Sequence, residues 1–338
     1  MILSGLILLT YFPNSFAQEN SGTPSVTALI YHRFGEKNIP STNVRLEQFE
    51  AHLDLIKAEN ISPVSARDLN DFLAGRTVLA DKSTIVTIDD AYYSVLTEAW
   101  PRLKRAGIPL ILFVATDAID QNLTGYLTWN EIRVLVADGV EIGHHGAGHI
   151  HMIDEGLDEA QDDILRASAR FEAELGFVPK YFAYPYGEYD RVLSGLIQNL
   201  GFDLAFAQYS GAIGPESDPY SLPRFAINER YGESSRFRDI IDARAWPLDR
   251  ISPADTVISK ADFTSGIEFM IEKPLPDMEL IACYPSHQTE PAEIRKLENG
   301  IFRIELQTPF PRGRNRINCT LPAGDGRWYW WGWFFYVP

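Results

Sequence analysis

The runs STIVTIDD, at residues 83–90, and VEIGHHGAGH, at residues 140–149, share one pattern. Each begins as an apolar segment typical of a buried strand and ends in polar side chains, aspartates in the first run and histidines in the second. Buried parallel strands that end in polar residues form the active sites of many α/β proteins. Carboxylates and two histidines can bind a divalent metal and leave a position open for water. The two runs therefore predict the metal site of a hydrolase.

Strand-like and helix-like segments alternate on both sides of these runs, from about residue 26 to about residue 227. Thr128 with Glu131 three residues later is the signature of a capping box and predicts the start of a helix. A long amphipathic helix is predicted from Leu157 to Leu175, with Gly176 as its end. Repeated βα units of this kind predict a parallel sheet or barrel.

The length of 338 residues exceeds one ordinary core and predicts two domains. After about residue 231 the chain becomes polar, and from residue 255 its apolar segments are short, often alternating and interrupted by Pro and Gly, which is typical of a small β-sandwich. The predicted fold class is α/β, an irregular (β/α) barrel followed by a small all-β sandwich. The predicted division is a signal peptide at 1–17, the barrel at 24–235, a linker at 236–254 and the sandwich at 255–338.

The formal net charge of −16 disfavours two classes of partner. Nucleic acids and anionic membrane surfaces both carry phosphates, which an acidic protein repels. We therefore predict no nucleic-acid partner, and an uncharged or cationic ligand fits better.

Residues 1–17 are predicted to be an export signal. Residues 2–9 form a short apolar core, and Ser15 and Ala17 place small residues at positions −3 and −1 before a cleavage site. The alternative is an N-terminal anchor, although the apolar run is short for a bilayer crossing. No other stretch is apolar enough to cross a membrane, so the mature protein is predicted to be exported, periplasmic or secreted, without membrane insertion.

Cys283 and Cys319 are the two cysteines of the chain. In an exported protein, a pair confined to one small domain predicts a disulfide, which would stabilise the fold by about 4 kcal/mol through the entropy of the closed loop. The alternative is two unpaired buried thiols.

Residues 87–91 resemble the Thr-Phe-Asp-Asp-Gly motif of the NodB-homology polysaccharide deacetylases, metal-dependent esterases and amidases that remove N- or O-acetyl groups from glycans. The resemblance implies that Asp89 is the general base and that Asp90 binds the metal. The second family motif, His-Ser/Thr-x-x-His, is matched by His145 and His149, which the resemblance makes the other two ligands. One oxygen and two nitrogen ligands favour Zn²⁺, and Fe, Ni and Co are compatible with such a set.

The third family motif, Arg-x-Pro-Tyr, corresponds to residues 183–186, and the resemblance implies that the main-chain N–H of Tyr186 helps to hold the oxyanion. Ala183 stands where the motif has the arginine that orients the base, and Arg224 is the candidate to supply a guanidinium from a later strand. Gly146 replaces the hydroxyl residue that steadies the metal-binding loop, which predicts a looser loop.

The acid of the reaction has one candidate. The family's C-terminal Leu-x-His motif is absent after Tyr186, but His32 ends the first predicted strand. A subgroup of the family has a circularly permuted barrel, takes its acid histidine from the N-terminus and tends to read Ala-Tyr-Pro-Tyr-Gly in the third motif, as residues 183–187 do. Exported enzymes that act on poly-N-acetylglucosamine belong to this subgroup. The resemblance implies that His32 protonates the leaving group.

Plainer interpretations apply to several polar residues. Asp89 and Asp90, taken alone, are also suited to cap a following helix. His144 and His151 are expected to pack or to support the ligands rather than to bind metal. His52 is expected on the solvated face of a helix.

The aromatic run RWYWWGWFFY at residues 327–336 has two interpretations. Alternation along a strand places its rings on two faces, so at least one face is expected in the core of a small sandwich or at the domain interface. The second interpretation is a platform on which sugar rings stack.

Together these features predict an exported, metal-dependent deacetylase of an N-acetylated polysaccharide, such as poly-N-acetylglucosamine, a chitin-like polymer or a peptidoglycan glycan. The polysaccharide is the predicted partner and a divalent metal the predicted cofactor. One alternative is a catalytically inactive glycan-binding protein, motivated by Ala183, Gly146 and the aromatic run. The other is an O-acetyl xylan esterase of the same fold.

Overall fold

The structure is a computed structural model that describes residues 23–259, 266–271 and 274–338. The predicted signal peptide at 1–17 lies outside the described residues. No helix in the described ranges has the length and hydropathy that a bilayer crossing requires.

A curled sheet surrounded by helices forms the first part of the protein. Its strands are β1 (Ser25–Tyr31), β4 (Ser62–Pro63), β5 (Lys82–Asp89), β6 (Leu110–Val114), β7 (Glu141–His144), β8 (Tyr181–Ala183), β9 (Leu204–Phe206), β10 (Ala212–Ile213) and β11 (Phe225–Ala226). A separate short parallel pair consists of β2 (Arg33–Phe34) and β3 (Asn43–Val44). The order in the curled sheet is β10-β1-β5-β6-β7-β8-β9, with β11 also paired to β1 and β4 to β5. Every pairing in it is parallel except that of β10 with β1. The predicted (β/α) barrel is confirmed.

The helices lie in the connections between these strands. They are α1 (Leu46–Ala58), α2 (Ala66–Leu73), α3 (Trp100–Ala106), α4 (Thr116–Asp120), α5 (Trp129–Ala137), α6 (Met152–Glu155), α7 (Leu157–Leu175), α8 (Arg191–Asn199) and α9 (Ser234–Ile241). A π-helix at Val95–Ala99 runs into α3, and 3₁₀ turns occur at Pro185–Gly187, Met278–Leu280 and Glu298–Gly300. The predicted capping box is present, since the Thr128 side chain accepts a hydrogen bond from the Glu131 N–H. Helix α7 has the predicted bounds and ends at Gly176, which is left-handed.

Strand register brings the polar strand ends to one edge of the sheet. β1 is buried along its whole length, as expected for a parallel strand covered on both faces. Tyr31 pairs with Ile88 of β5, and Val114 of β6 pairs with His144 of β7. The residues that follow β1, β5 and β7 therefore lie at the same carboxyl-terminal edge, where barrels of this kind carry their active sites.

Two antiparallel sheets form the C-terminal part. One has the order β12 (Leu248–Ser252), β13 (Ile267–Ile271), β16 (Ile301–Glu305), β15 (Glu293–Lys296), and the other has the order β14 (Ala282–Pro285), β17 (Gly313–Pro322), β18 (Trp328–Val337). Their inner faces share one apolar core, in which the rings of Phe269 and Trp331 lie 5.5 Å apart. Cys283 and Cys319 are joined by a disulfide between β14 and β17, as predicted.

The segment predicted as a linker, 236–254, contains regular structure. It begins inside α9, whose Phe237, Ile240 and Ile241 are buried, and it ends in β12. These apolar residues have helical spacing but are separated by charged residues, so the segment resembles a polar linker in composition. Helix α9 packs against α1.

The expectation of a solvated His52 is wrong, and α9 is the reason. Helix α9 covers the face of α1 that carries His52, which is fully buried. Its ring stacks on Phe237 at 3.9 Å, its Nε2 donates to the carbonyl of Gly232 at 2.7 Å, and the Tyr31 hydroxyl donates to its Nδ1 at 3.1 Å. Burial lowers the pKa of His52 to about 4.

Strand β18 packs on both of its faces. Trp331 and Phe335 lie in the core of the two antiparallel sheets. On the other face Trp330 contacts Phe225 of the barrel, with ring centroids 5.1 Å apart, and Phe334 joins the barrel's apolar residues. The aromatic run thus packs in the core and at the interface, the first of its two interpretations.

Candidate metal and catalytic site

Three potential metal ligands converge at the carboxyl-terminal edge of the barrel. Asp90 Oδ1 lies 3.7 Å from His145 Nε2 and 3.5 Å from His149 Nε2. Within the described residues, these are the side chains that meet the geometry of a three-ligand cluster, with all ligand atoms within 4.8 Å of one another. Tetrahedral ligands at about 2.1 Å from Zn²⁺ are about 3.4 Å apart, so the spacing and the donor set fit a divalent metal.

His145 is prepared for metal binding by its surroundings. It follows β7, is buried, and its Nδ1 donates to the carbonyl of Ala183 at 2.6 Å, which leaves the Nε2 lone pair free. Burial lowers the pKa of His145 to about 4, so the imidazole is neutral at pH 7, the form that binds metals.

The loop that carries both histidines is held by a carboxylate from α7. Asp163 is buried and accepts hydrogen bonds from the N–H groups of Ala147 at 2.7 Å and Gly148 at 2.8 Å. Gly146 has a positive φ of 72°, and a Cβ there would lie 2.5 Å from Asp163 Oδ2. Asp163 therefore takes over the steadying role for which a hydroxyl residue was expected. The sequence contains one signal for it, an acidic residue on the apolar face of a predicted helix.

Backbone strain is concentrated at the site. The φ angle is positive at four residues of the site: 74° at Asp90, 53° at Ala91, 51° at His149 and 59° at Tyr186. Half of the non-glycine residues with positive φ in the described ranges are thus at this edge of the barrel. Such conformations cost about 1–3 kcal/mol each and cluster at functional sites.

Asp89 forms a buried ion pair with Arg224. Arg224 Nη1 and Nη2 donate to Asp89 Oδ1 and Oδ2 at 2.7 Å and 2.9 Å, and Arg224 Nε donates to the carbonyl of Ala207 at 2.8 Å. Burial opposes the charged carboxylate, but Arg224 outweighs it and holds the pKa of Asp89 below its usual value. Arg224 thus supplies the guanidinium beside Asp89, and Ala183, at the position of the motif arginine, has no such group.

His32 and Tyr186 lie at the same edge. His32 is half-buried directly after β1, and a positive charge on it lowers the pKa of Asp89, as expected of a near neighbour. Tyr186 lies in the 3₁₀ turn after β8, with its ring 4.4 Å from that of His149.

The two remaining histidines of this region have different surroundings. His144 is buried among Phe171, Phe182 and Phe202 and accepts a hydrogen bond from the Gly146 N–H at 3.1 Å. His151 is hydrogen-bonded through Nδ1 to Glu188 Oε2 at 2.7 Å. Neither belongs to the group of three potential ligands.

Aromatic rings flank the three potential ligands. Burial, and after it the charge of Asp90, raises the pKa of both Tyr92 and Tyr186, so both phenols lie near this carboxylate. The Arg33 guanidinium lies 3.3 Å from the centre of the Tyr92 ring. Sequence reasoning missed Tyr92, because an aromatic residue next to the paired aspartates has no pattern that separates it from core.

Known proteins resemble this chain in sequence and in fold. Residues 77–205 match a family model described as polysaccharide deacetylase. The poly-β-1,6-N-acetyl-D-glucosamine N-deacetylase of Staphylococcus epidermidis is 21% identical over 231 residues, covering 60% of this chain and 79% of that protein. The structure of IcaB from Ammonifex degensii is similar with a TM-score of 0.59 and 25% identity, covering 66% of this chain and 98% of that one. The Streptococcus pyogenes deacetylase PplD, solved with acetate, has a TM-score of 0.59 at 18% identity and covers 65% and 99% of the two chains. Both polar runs and the Tyr186 turn fall in the matched residues, whereas His32 and Arg224 lie outside them.

Proposed function

The chain belongs to the NodB-homology polysaccharide deacetylases, and from this premise we propose that it hydrolyses acetyl groups from an N-acetylated polysaccharide at a divalent metal held by Asp90, His145 and His149. The observation that carries the proposal is the convergence of these three ligand atoms beside the Asp89–Arg224 pair. A divalent cation held by these residues would lower the pKa of a coordinated water and polarise the acetyl carbonyl. The proposed metal is Zn²⁺, with Fe, Ni and Co as alternatives.

The chain's own residues supply the proton transfers. Asp89, kept ionised by Arg224, accepts the proton of the attacking water. The Tyr186 main-chain N–H donates to the oxygen of the tetrahedral intermediate. His32 donates a proton to the leaving nitrogen as the C–N bond breaks, and acetate and the free amine leave.

The proposed substrate class is a polymer of N-acetylhexosamine such as poly-N-acetylglucosamine. The named deacetylase of Staphylococcus epidermidis acts on this class, and the rings of Tyr92, which is buried, and Tyr186, which is partly exposed, lie near the carboxylate of Asp90, at the edge of the barrel where a sugar chain would bind. We further propose that the protein is exported after cleavage of residues 1–17. The disulfide supports this, because such bonds persist in oxidising compartments. The proposed domains remain the barrel at 24–235 and the sandwich at 255–338, although α9 packs against the barrel and β12 pairs with β13 of the sandwich.

Glycan binding without catalysis is the second candidate function. A cavity of about 330 Å³ lies between the barrel and β18, and its lining includes Tyr209, Trp246, Trp330 and Trp333. An aromatic-lined cavity of this size can hold a sugar ring.

Acetate release tests the proposal. Purified protein is incubated with N-acetylglucosamine oligomers and with acetylated xylan, with and without a chelator, and then with added Zn²⁺, Co²⁺, Ni²⁺ or Fe²⁺. We expect chelator-sensitive release from the N-acetylated oligomers. We expect His32→Ala to lower turnover by about 10²–10⁴-fold while its metal content stays normal, because an acid contributes that much without binding the metal.

Other outcomes separate the alternatives. Release from xylan alone indicates the esterase. Glycan binding without acetate release, in protein of full metal content, favours the binding protein. Loss of metal from His32→Ala contradicts the acid role.

A further inference from the structure

Arg314 reaches the proposed active site from the C-terminal sheets. It lies in β17, and its Nη1 donates to the main-chain carbonyl of Tyr186 at 3.0 Å. Its Nε lies 3.3 Å from Glu188 Oε1, and its guanidinium lies 5.8 Å from the centre of the Tyr186 ring. One side chain of the β region thus contacts the turn to which the oxyanion N–H belongs.

Glu188 connects this contact to the barrel. Its side chain is only 2% exposed, and its second oxygen, Oε2, is bound by His151 Nδ1 at 2.7 Å. The His151 ring in turn stacks on the Tyr186 ring at 3.8 Å with an interplanar angle of 1°. The Tyr186 turn is therefore held by its carbonyl on the Arg314 side and by its ring on the His151 side.

The conformation of Tyr186 needs such support. Its φ of 59° and ψ of 0° are left-handed, which costs a side chain about 1–3 kcal/mol unless the surroundings enforce it. These two angles fix the direction of the Tyr186 N–H relative to the Tyr186 carbonyl. A donor that fixes the carbonyl therefore restrains the N–H as well.

We propose that Arg314 is a positioning residue that holds the Tyr186 turn in its left-handed conformation, so that the C-terminal β region is part of the deacetylase site. The inference rests on the proposed function for the role of the Tyr186 N–H. In addition to packing against the barrel, the C-terminal β region would then help to orient the N–H that stabilises the oxyanion. Glu188 aligns the guanidinium, because a buried carboxylate and a main-chain carbonyl accept from different edges of it.

The experiment compares three variants in the full chain. Arg314→Ala removes both contacts, Arg314→Lys retains the charge but replaces the planar group with one ammonium, and Arg312→Ala removes an exposed neighbouring charge that has no hydrogen bond to the turn. We expect Arg314→Ala to lower kcat about 10–100-fold with KM within twofold of wild type, because an oxyanion donor acts mainly in the transition state. Arg314→Lys recovers part of the loss, and Arg312→Ala changes neither constant. Metal content stays normal in all three.

Hydrogen exchange gives a readout that does not require activity. In Arg314→Ala we expect faster exchange of the main-chain N–H groups of residues 186–188, with the barrel strands unchanged. Wild-type kcat in Arg314→Ala overturns the inference, and so does an equal loss in Arg312→Ala. If the wild-type protein releases no acetate, the proposed function fails, and unchanged exchange at residues 186–188 then overturns the positioning role as well.

Discussion

Gly146 shows how a single residue adapts the loop of the proposed metal ligands to this chain. Its left-handed conformation and the approach of Asp163 leave no room for a Cβ, which would lie 2.5 Å from Asp163 Oδ2. The carboxylate is close because it binds the N–H groups of the next two residues. The glycine and the aspartate therefore work as a pair, and a hydroxyl residue at 146 would conflict with the aspartate.

Replacement of this glycine should weaken the metal site. We expect Gly146→Ala to reduce metal affinity about 10–100-fold, because the loop that carries His145 and His149 must shift away from Asp163. The left-handed backbone adds a cost of about 1–2 kcal/mol to the free energy of folding. Metal titration and thermal unfolding measure the two effects.

Gly195 provides the matched control. It lies inside α8, and a Cβ there would meet nothing within 4 Å. Gly195→Ala should raise the free energy of unfolding by about 0.5–1 kcal/mol and leave metal affinity unchanged. Equal metal affinity in both variants would show that Asp163 does not constrain the loop.

The residues of the site differ in how far the sequence could predict them. Asp89 ends an apolar strand and Asp90 comes directly after it, and their position at the sheet edge follows from that pattern. Asp163 and Arg314 act through contacts that depend on the folded arrangement of distant segments. The position of Asp163 on the apolar face of a predicted helix is a signal that it is buried but does not show what it contacts, and no local spacing distinguishes Arg314 from a surface charge. The positive φ of Tyr186 could not be predicted from the sequence either, because the residue that usually signals such a conformation, glycine, does not occupy that position.

Helix α9 couples three elements through His52. The imidazole lies between β1, which supplies the Tyr31 hydroxyl, and α9, which supplies the Phe237 ring. All its polar atoms are bonded only when the ring is neutral, with Nδ1 accepting and Nε2 donating. Protonation of Nδ1 would remove the lone pair that accepts the hydrogen bond from the Tyr31 hydroxyl.

This arrangement makes stability depend on pH. Burial lowers the pKa of His52 from an ordinary value of 6.5 to about 4, so the unfolded chain takes up a proton at a pH where the folded protein does not. The stabilisation is complete above pH 6.5 and is lost as the pH falls toward 4. Between pH 8 and pH 5 the loss from this residue is about 2 kcal/mol.

Denaturant unfolding of His52→Gln at both pH values measures this contribution. The amide can accept from Tyr31 and donate to Gly232 but does not titrate, so we expect its free energy of unfolding to fall less than that of wild type by this amount. Parallel pH dependence in the two proteins would contradict the assignment.

Secondary structure was predictable where the pattern was strong. Helix α7 and the α5 capping box follow from regular apolar spacing and cap residues. Helix α9 was not predicted, because three apolar residues among charged ones stabilise a helix only when another element covers them. His52 was predicted to be exposed to solvent because the helix that covers it, α9, was not predicted.

The protein as a whole is joined along β18. The backbone at Gly332 lies so close to the barrel that a Cβ would be 1.9 Å from the carbonyl oxygen of Ser210. The faces of β18 belong to two apolar cores, with Trp331 in one and Phe334 in the other. The two parts should therefore unfold together.

Gly332→Ala should separate them. The added methyl group pushes β18 away from Ser210, so we expect a lower melting temperature and two calorimetric transitions where the wild type has one. Gly195→Ala serves as the control that keeps one transition. A single transition at the wild-type temperature in Gly332→Ala would show that this close approach does not join the two parts.

The position of β18 in the chain has a consequence for how the protein is made. The barrel strands end with β11 at Ala226, whereas β18 begins at Trp328, so a ribosome completes the barrel sequence well before the strand that covers it. During that interval Phe225 and Tyr209 lack their contacts with Trp330 and Trp333 and present apolar surface to other chains. Contacts between such distant segments also form slowly. The nascent chain should therefore depend on a chaperone until β18 has been synthesised.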